Sequence, residues 1–69
     1  MSGAELTVNG EVVPWRRGLL VAELVESLLP SSRGVAVAVD REVVPRSAWA
    51  KTELSPGATV EIVSAAAGG

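Results

Sequence analysis

A chain of 69 residues with 48% hydrophobic content has room for one small domain with a simple core, because a chain of this size buries only about 60% of the surface its unfolded form exposes. It contains neither cysteine nor histidine, which excludes disulfide staples, thiolate chemistry and the usual zinc or copper ligand sets. Eight acids against six bases leave a net charge of −2, a balance that argues against an electrostatic nucleic-acid binder. No charged n-region followed by an apolar h-region opens the sequence, and no apolar run is long enough to span a bilayer. The expectation is a cytoplasmic domain with neither a membrane nor a nucleic-acid partner.

From Glu5 to Val13, Leu6 and Val8 alternate with Glu5 and Thr7, and Asn9-Gly10 precedes a second apolar stretch. A two-residue type I′ turn needs positive φ at both central positions, which Asn and Gly tolerate best, so the segment predicts a β-hairpin. Pro14 ends the second strand because it has no N–H to give to a ladder. Between Leu20 and Leu29 the period changes. Leu20, Leu24 and Leu28 recur every four positions with Val21 and Val25 beside them, while Glu23, Glu26 and Ser27 fall opposite. That pattern predicts an amphipathic helix of about three turns, with Gly18 as an acceptable start and Pro30 ending it at Leu29.

Val35-Ala36-Val37-Ala38-Val39 alternates large and small apolar groups, as a strand does when Val meets the core and Ala a less crowded face. It is expected to be buried or nearly so. Asp40-Arg41 stands where a second tight turn falls, and Glu42-Val43-Val44-Pro45 echoes Glu11-Val12-Val13-Pro14 as a similar strand end. An irregular stretch holding Arg46, Trp49 and Leu54 follows. The Ser55-Pro56-Gly57 turn then leads into a last alternating strand, Thr59 to Ser64.

Strand, strand, helix and three more strands give an α+β chain whose economical solution is one helix across a mixed five-stranded sheet. That order resembles the β-grasp, or ubiquitin-like, fold, in which the last strand is internal and pairs with the first. Residues 1–64 are read as the domain and residues 65–69 as a flexible Ala/Gly tail.

Gly68 and Gly69 follow Ala65-Ala66-Ala67, a thin ending that no packed core requires. Without Cβ atoms two glycines can thread a channel too narrow for side chains. Trp49, one large aromatic in an aliphatic core, reads as packing. Trp15, beside Arg16-Arg17, is placed either exposed for docking or folded over the helix, and Arg46 either touches a partner or bonds locally. Glu23 and Glu26 lack any His or Cys to work with and read as a solvated face, as do Asp40 and Glu42. No phosphate-cradling loop, metal-spaced ligand set or nucleophile–base pair is present in the sequence, so no catalytic residue is assigned.

Val43-Val44-Pro45-Arg46 with Trp49-Ala50 three residues on, the Pro-Gly turn, Val60-Glu61-Ile62-Val63 and the closing Gly-Gly together resemble the thiamine-pathway sulfur-carrier family, ThiS. The similarity runs from Leu6 to the end. Asp40-Arg41, Ala58 and Ala65-Ala66-Ala67 depart from the family pattern, which favours an Asn-containing turn, an Asp and a larger apolar residue at these places. The resemblance implies a carrier and not an enzyme, with an apolar sheet face docking to a ThiF-like adenylyltransferase. That partner would use ATP and Mg²⁺ to adenylate the Gly69 carboxylate, and a sulfur donor would then leave a thiocarboxylate for a ThiG-like thiazole synthase. No cofactor is expected on the carrier itself. Gly68, Ala67 and Ala66 would lie in the partner's channel, and Trp15 and Arg46 are possible partner contacts. Two other fates share the same ending: a ubiquitin-like modifier conjugated through Gly69, and a molybdopterin-type sulfur carrier.

Overall fold

In a computed structural model of the chain, which describes residues 4–64, the first turn forms as the sequence predicts. Asn9 and Gly10 take φ of 52° and 86°, and they join β1 (Glu5–Val8) to β2 (Glu11–Pro14). The strands pair antiparallel from Glu5↔Pro14 to Val8↔Glu11. Pro14 is the last residue of β2, and the ladder passes to Trp15, whose N–H donates to the Ala4 carbonyl at 3.0 Å. The tail residues Ala65 to Gly69 lie outside the described residues.

The helix, α1, spans Val21–Leu28, shorter at both ends than the predicted Leu20–Leu29. Leu20 is extended, and its N–H donates to Glu23 Oε1 at 3.1 Å, which satisfies a donor at the open N-terminus. Leu29 is also extended, as expected before Pro30. Val21, Leu24 and Val25 are buried, whereas Leu20 is half-buried and Leu28 is 44% exposed. The predicted stripe is therefore narrower than Leu20, Leu24 and Leu28. Leu20 precedes the helix, and Leu28, although on the same face as Val21, projects beyond the packed centre.

Asp40 and Arg41, at φ of 51° and 73°, join β3 (Val35–Val39) to β4 (Glu42–Val44). In β3 Val37 is buried and Ala36 exposed, with Val35, Ala38 and Val39 between. The alternation is as expected, but the strand is covered on one face only. The stretch read as irregular contains a 3₁₀ helix, Arg46–Lys51. It opens directly after Pro45, whose carbonyl accepts the Ala48 N–H at 2.8 Å. Short 3₁₀ turns carry little periodicity, so no pattern in the sequence marks this one.

The last strand, β5 (Thr59–Ser64), is central in the order β2-β1-β5-β3-β4. It runs parallel to β1 and antiparallel to β3. Leu6, Val8, Val37 and Val60 of the sheet meet Val21, Leu24 and Val25 of α1, and Leu19, Trp49, Leu54 and Ala58 close the core. Among the described residues no polar side chain is buried. Stability thus rests on apolar packing and the backbone ladders.

Candidate functional site

β5 delivers the chain to the middle of the sheet edge. Its pairing with β3 runs from Val39↔Val60 to Val35↔Ser64, so residue 64 still lies opposite a neighbour in the sheet where the described chain stops. The four residues assigned to the reactive end, Gly69, Gly68, Ala67 and Ala66, all lie beyond that point and outside the described residues. What the structure supplies is their root.

Asn9 secures that root in a way the sequence reading, which saw only a turn residue, did not anticipate. Its backbone N–H donates to the Val60 carbonyl at 2.9 Å. Its side-chain amide then bonds both backbone groups of Ile62: the Ile62 N–H donates to Oδ1 at 2.9 Å, and Nδ2 donates to the Ile62 carbonyl at 3.1 Å.

The sheet has one face open. Val43 is 76% exposed, Val12 63% and Val63 62%. Ala38 pairs with Val43 on one side and Glu61 on the other, and Ala36 pairs with Val63. The two small alanines leave a shallow depression of about 150 Å³ between Val43, Val63 and Glu61. Exposed aliphatic groups gathered on one face with a carboxylate among them form a surface suited to a partner that supplies apolar anchors and a cation. A second depression, about 360 Å³, lies at the opposite face between Leu28, Leu29, Val13 and Ile62, rimmed by Asn9 and Glu11.

Trp15 and Arg46, the possible partner contacts, lie apart from each other and are engaged within the chain. Trp15 is half-buried, packs against the core and donates Nε1–H to the Leu54 carbonyl at 2.7 Å. The Arg46 guanidinium donates to the Ser32 carbonyl at 3.0 Å and to the Ser32 hydroxyl. It also sits 5.3 Å from the centroid of the Trp49 ring, within cation–π range. Trp49 is 6% exposed and donates Nε1–H to the Val44 carbonyl at 2.9 Å, the packing role expected of it.

Two carboxylates read as merely solvated have definite partners. Glu23 Oε1 accepts from the Leu20 N–H and from Arg16 Nη2, each at 3.1 Å. Asp40 Oδ1 accepts from the Thr59 N–H at 3.0 Å. The Glu23 role was legible in its position, three residues after the last extended residue before the helix. Among the described residues no group of three or more carboxylates lies at metal-binding spacing.

A mixed five-stranded sheet with parallel first and last strands at its centre, and one helix across a single face, defines a β-grasp domain. This is the α+β class expected from the element order. The sequence model of the ThiS family matches residues 6–69, and the chain belongs to that family. It is 29% identical over 65 residues to the sulfur carrier protein ThiS of Escherichia coli K12, covering 94% of this chain and 98% of that protein. A crystal structure of the thiamine biosynthesis protein ThiS from Geobacter metallireducens superposes with a TM-score of 0.77. The two are 32% identical, with 94% of this chain and 99% of that one covered.

Proposed function

We propose that this chain is a sulfur carrier for thiazole assembly in thiamine biosynthesis, acting as a co-substrate of its partner enzymes and not as a catalyst. The observation that carries the reading is that the ThiS-family match extends to residue 69, so that it includes the terminal Gly68-Gly69. The names of the two relatives, a sulfur carrier protein and a thiamine biosynthesis protein, support it.

In this reading the Gly69 carboxylate, ionised at neutral pH, attacks the α-phosphorus of ATP in a ThiF-like adenylyltransferase and pyrophosphate leaves. The partner's Mg²⁺ and cationic groups neutralise the phosphates. The acyl adenylate is activated at carbon, where a sulfur donor displaces AMP to leave a thiocarboxylate. A ThiG-like thiazole synthase consumes that sulfur and returns the carboxylate. The carrier's own contribution is to dock and to present. The open face around Val43, Val63, Ala36 and Ala38 provides apolar area for the adenylyltransferase, each well-buried valine contributing about 1.5–3 kcal/mol. Gly68, Ala67 and Ala66 keep the approach to Gly69 narrow enough for a partner's channel. Trp15 and Arg46 stand at the margin of this scheme as contacts whose present hydrogen bonds a partner would retain or exchange.

Intact-mass analysis of the chain coexpressed with its adenylyltransferase tests the proposal. The expected product is the chain with one oxygen exchanged for sulfur. Absence of that species with ATP and a sulfur donor present, or its replacement by high-mass conjugates that vanish on deletion of Gly69, would overturn it in favour of a protein modifier. Copurification with a molybdopterin synthase large subunit in place of a thiazole synthase would redirect the sulfur to that acceptor.

A further inference from the structure

We infer that Asn9 is a positioning residue for the C-terminal carboxylate, acting through Ile62 to fix the direction in which the chain leaves the sheet. The inference rests on the proposed function for its consequence, though the clamp itself is a matter of geometry.

In a parallel ladder a residue that donates its N–H to position j−1 of the neighbouring strand accepts from position j+1. Thr7 N–H donates to the Ala58 carbonyl and Asn9 N–H to the Val60 carbonyl, so the next ladder bond would run from the Ile62 N–H to the Asn9 carbonyl. That bond is not the one formed. Asn9 turns into the left-handed region at φ 52°, which swings its carbonyl out of the ladder, and Oδ1 accepts the Ile62 N–H in its place. The following rung would take a donor from residue 11 to the Ile62 carbonyl, but the chain has already reversed into β2. Nδ2 supplies that donor. One primary amide, which has the donor and acceptor of a peptide group, thus stands in for two missing rungs.

The consequence falls on the end of β5. Its pairs with β3 engage the odd positions, as the Asp40 N–H bond to the Thr59 carbonyl marks, leaving the N–H and C=O of Ile62 directed toward β1. Without Asn9 the end of β5 is held from the β3 side alone. Five residues separate Ser64 from the terminal carboxylate, a reach of at most about 17 Å when extended. The position at which Ser64 is anchored therefore bounds where that carboxylate can be brought to a partner. Reacting atoms must meet within about 3.5 Å. A carrier that docks by its sheet face therefore gains from a root held on both sides.

Asn9→Gly separates the clamp from the turn, since glycine accepts φ 52° and removes only the amide. Three measurements are made with the full chain and a ThiF-like adenylyltransferase: amide exchange at Ile62, affinity for the enzyme, and the kcat and KM of ATP-dependent pyrophosphate release. The expected result is Ile62 exchange faster by about tenfold, unchanged affinity, and kcat lower by about tenfold with little change in KM. Asn9→Asp, which keeps an acceptor for Ile62 N–H and loses the donor, should fall between the two, and it carries the test if the glycine variant does not fold. Folded Asn9→Gly with wild-type kcat, or with unchanged Ile62 exchange, overturns the inference. A wild-type chain that is never adenylated defeats the proposed function instead, and the exchange measurement then decides on the clamp alone.

Discussion

Asp40 and Thr59 exchange two hydrogen bonds: the Asp40 N–H donates to the Thr59 carbonyl at 2.7 Å, and the Thr59 N–H donates to Asp40 Oδ1 at 3.0 Å. Asp40 stands immediately after β3, as Asn9 stands immediately after β1, and their φ values are 51° and 52°. Each is the first residue of a tight turn whose short polar side chain reaches to the central strand. β5 is thus held near its start from the β3 side and near its end from the β1 side, by residues whose preference for positive φ also makes the turns.

The Asp40 bond has a measurable share in stability. Asp40→Gly keeps the turn geometry and removes the acceptor of Thr59 N–H, and it should lower unfolding free energy by about 1 kcal/mol. Asp40→Asn retains both the acceptor and the tolerance of positive φ, and should remain within about 0.5 kcal/mol of the parent. Urea unfolding followed by tryptophan fluorescence distinguishes the two, and equal loss in both variants would show that charge and not the bond matters.

The helix contributes through three side chains, which makes each of them costly to remove. Leu24 is 2% exposed and sits between Val21 and Val25 in the core, so Leu24→Ala should destabilise by about 2–5 kcal/mol. In a domain of this size that approaches the whole margin. Loss of a cooperative thermal transition is the expected outcome, and Leu28→Ala, on the exposed last turn, should leave the transition nearly unmoved.

The alternation in β1, β3 and β5, the two turn dipeptides and the helical period were all legible because each is a local pattern with a local cause. So was the burial of Trp49, a large ring in an aliphatic chain. What escaped the sequence depends on partners far along it. Asn9 bonds a residue 53 positions away, and nothing around Asn9-Gly10 distinguishes a turn asparagine from one that also binds the last strand. Asp40 looked like surface charge for the same reason, since its acceptor role exists only once Thr59, 19 positions on, is in place. The proposed reactive end rests on Gly68-Gly69 in the sequence, and the described residues stop short of it at Ser64.

The open sheet face should govern encounter with the adenylyltransferase and not the fold. Val43 is 76% exposed and belongs to the edge strand β4, so Val43→Asp keeps the unfolding free energy within about 1 kcal/mol of the parent. At the centre of a docked patch the same change should weaken binding by about 10- to 100-fold. Titration calorimetry against the adenylyltransferase measures this, and unchanged affinity would move the docking surface elsewhere, the depression beside Leu28 and Leu29 being the next to test.

Trp15 separates a structural from a docking role in one substitution. Trp15→Phe keeps most of the ring's packing and removes the Nε1–H bond to the Leu54 carbonyl, at an expected cost of about 1 kcal/mol in stability. If the indole serves only the fold, affinity for the adenylyltransferase stays constant once the variant is confirmed folded. A tenfold loss of affinity without further loss of stability would assign it to the interface.

Gly68 offers the sharpest test of presentation, because a change there leaves the terminal carboxylate itself intact. Gly68→Val adds a branched side chain next to Gly69 and restricts the backbone to the conformations β-branched residues allow. The buried core among the described residues runs from Leu6 to Val60, so circular dichroism and the unfolding midpoint are expected to match the parent. Adenylation in a channel shaped for glycine should fall by at least about 100-fold, equivalent to roughly 2.7 kcal/mol in the transition state, and thiocarboxylate should disappear from the intact-mass spectrum. Gly68→Ala, with a single methyl, should fall between the two. Were valine accepted at the parent rate, the narrow ending would be incidental, and Gly69 would be reached by an open approach that makes no demand on its neighbour.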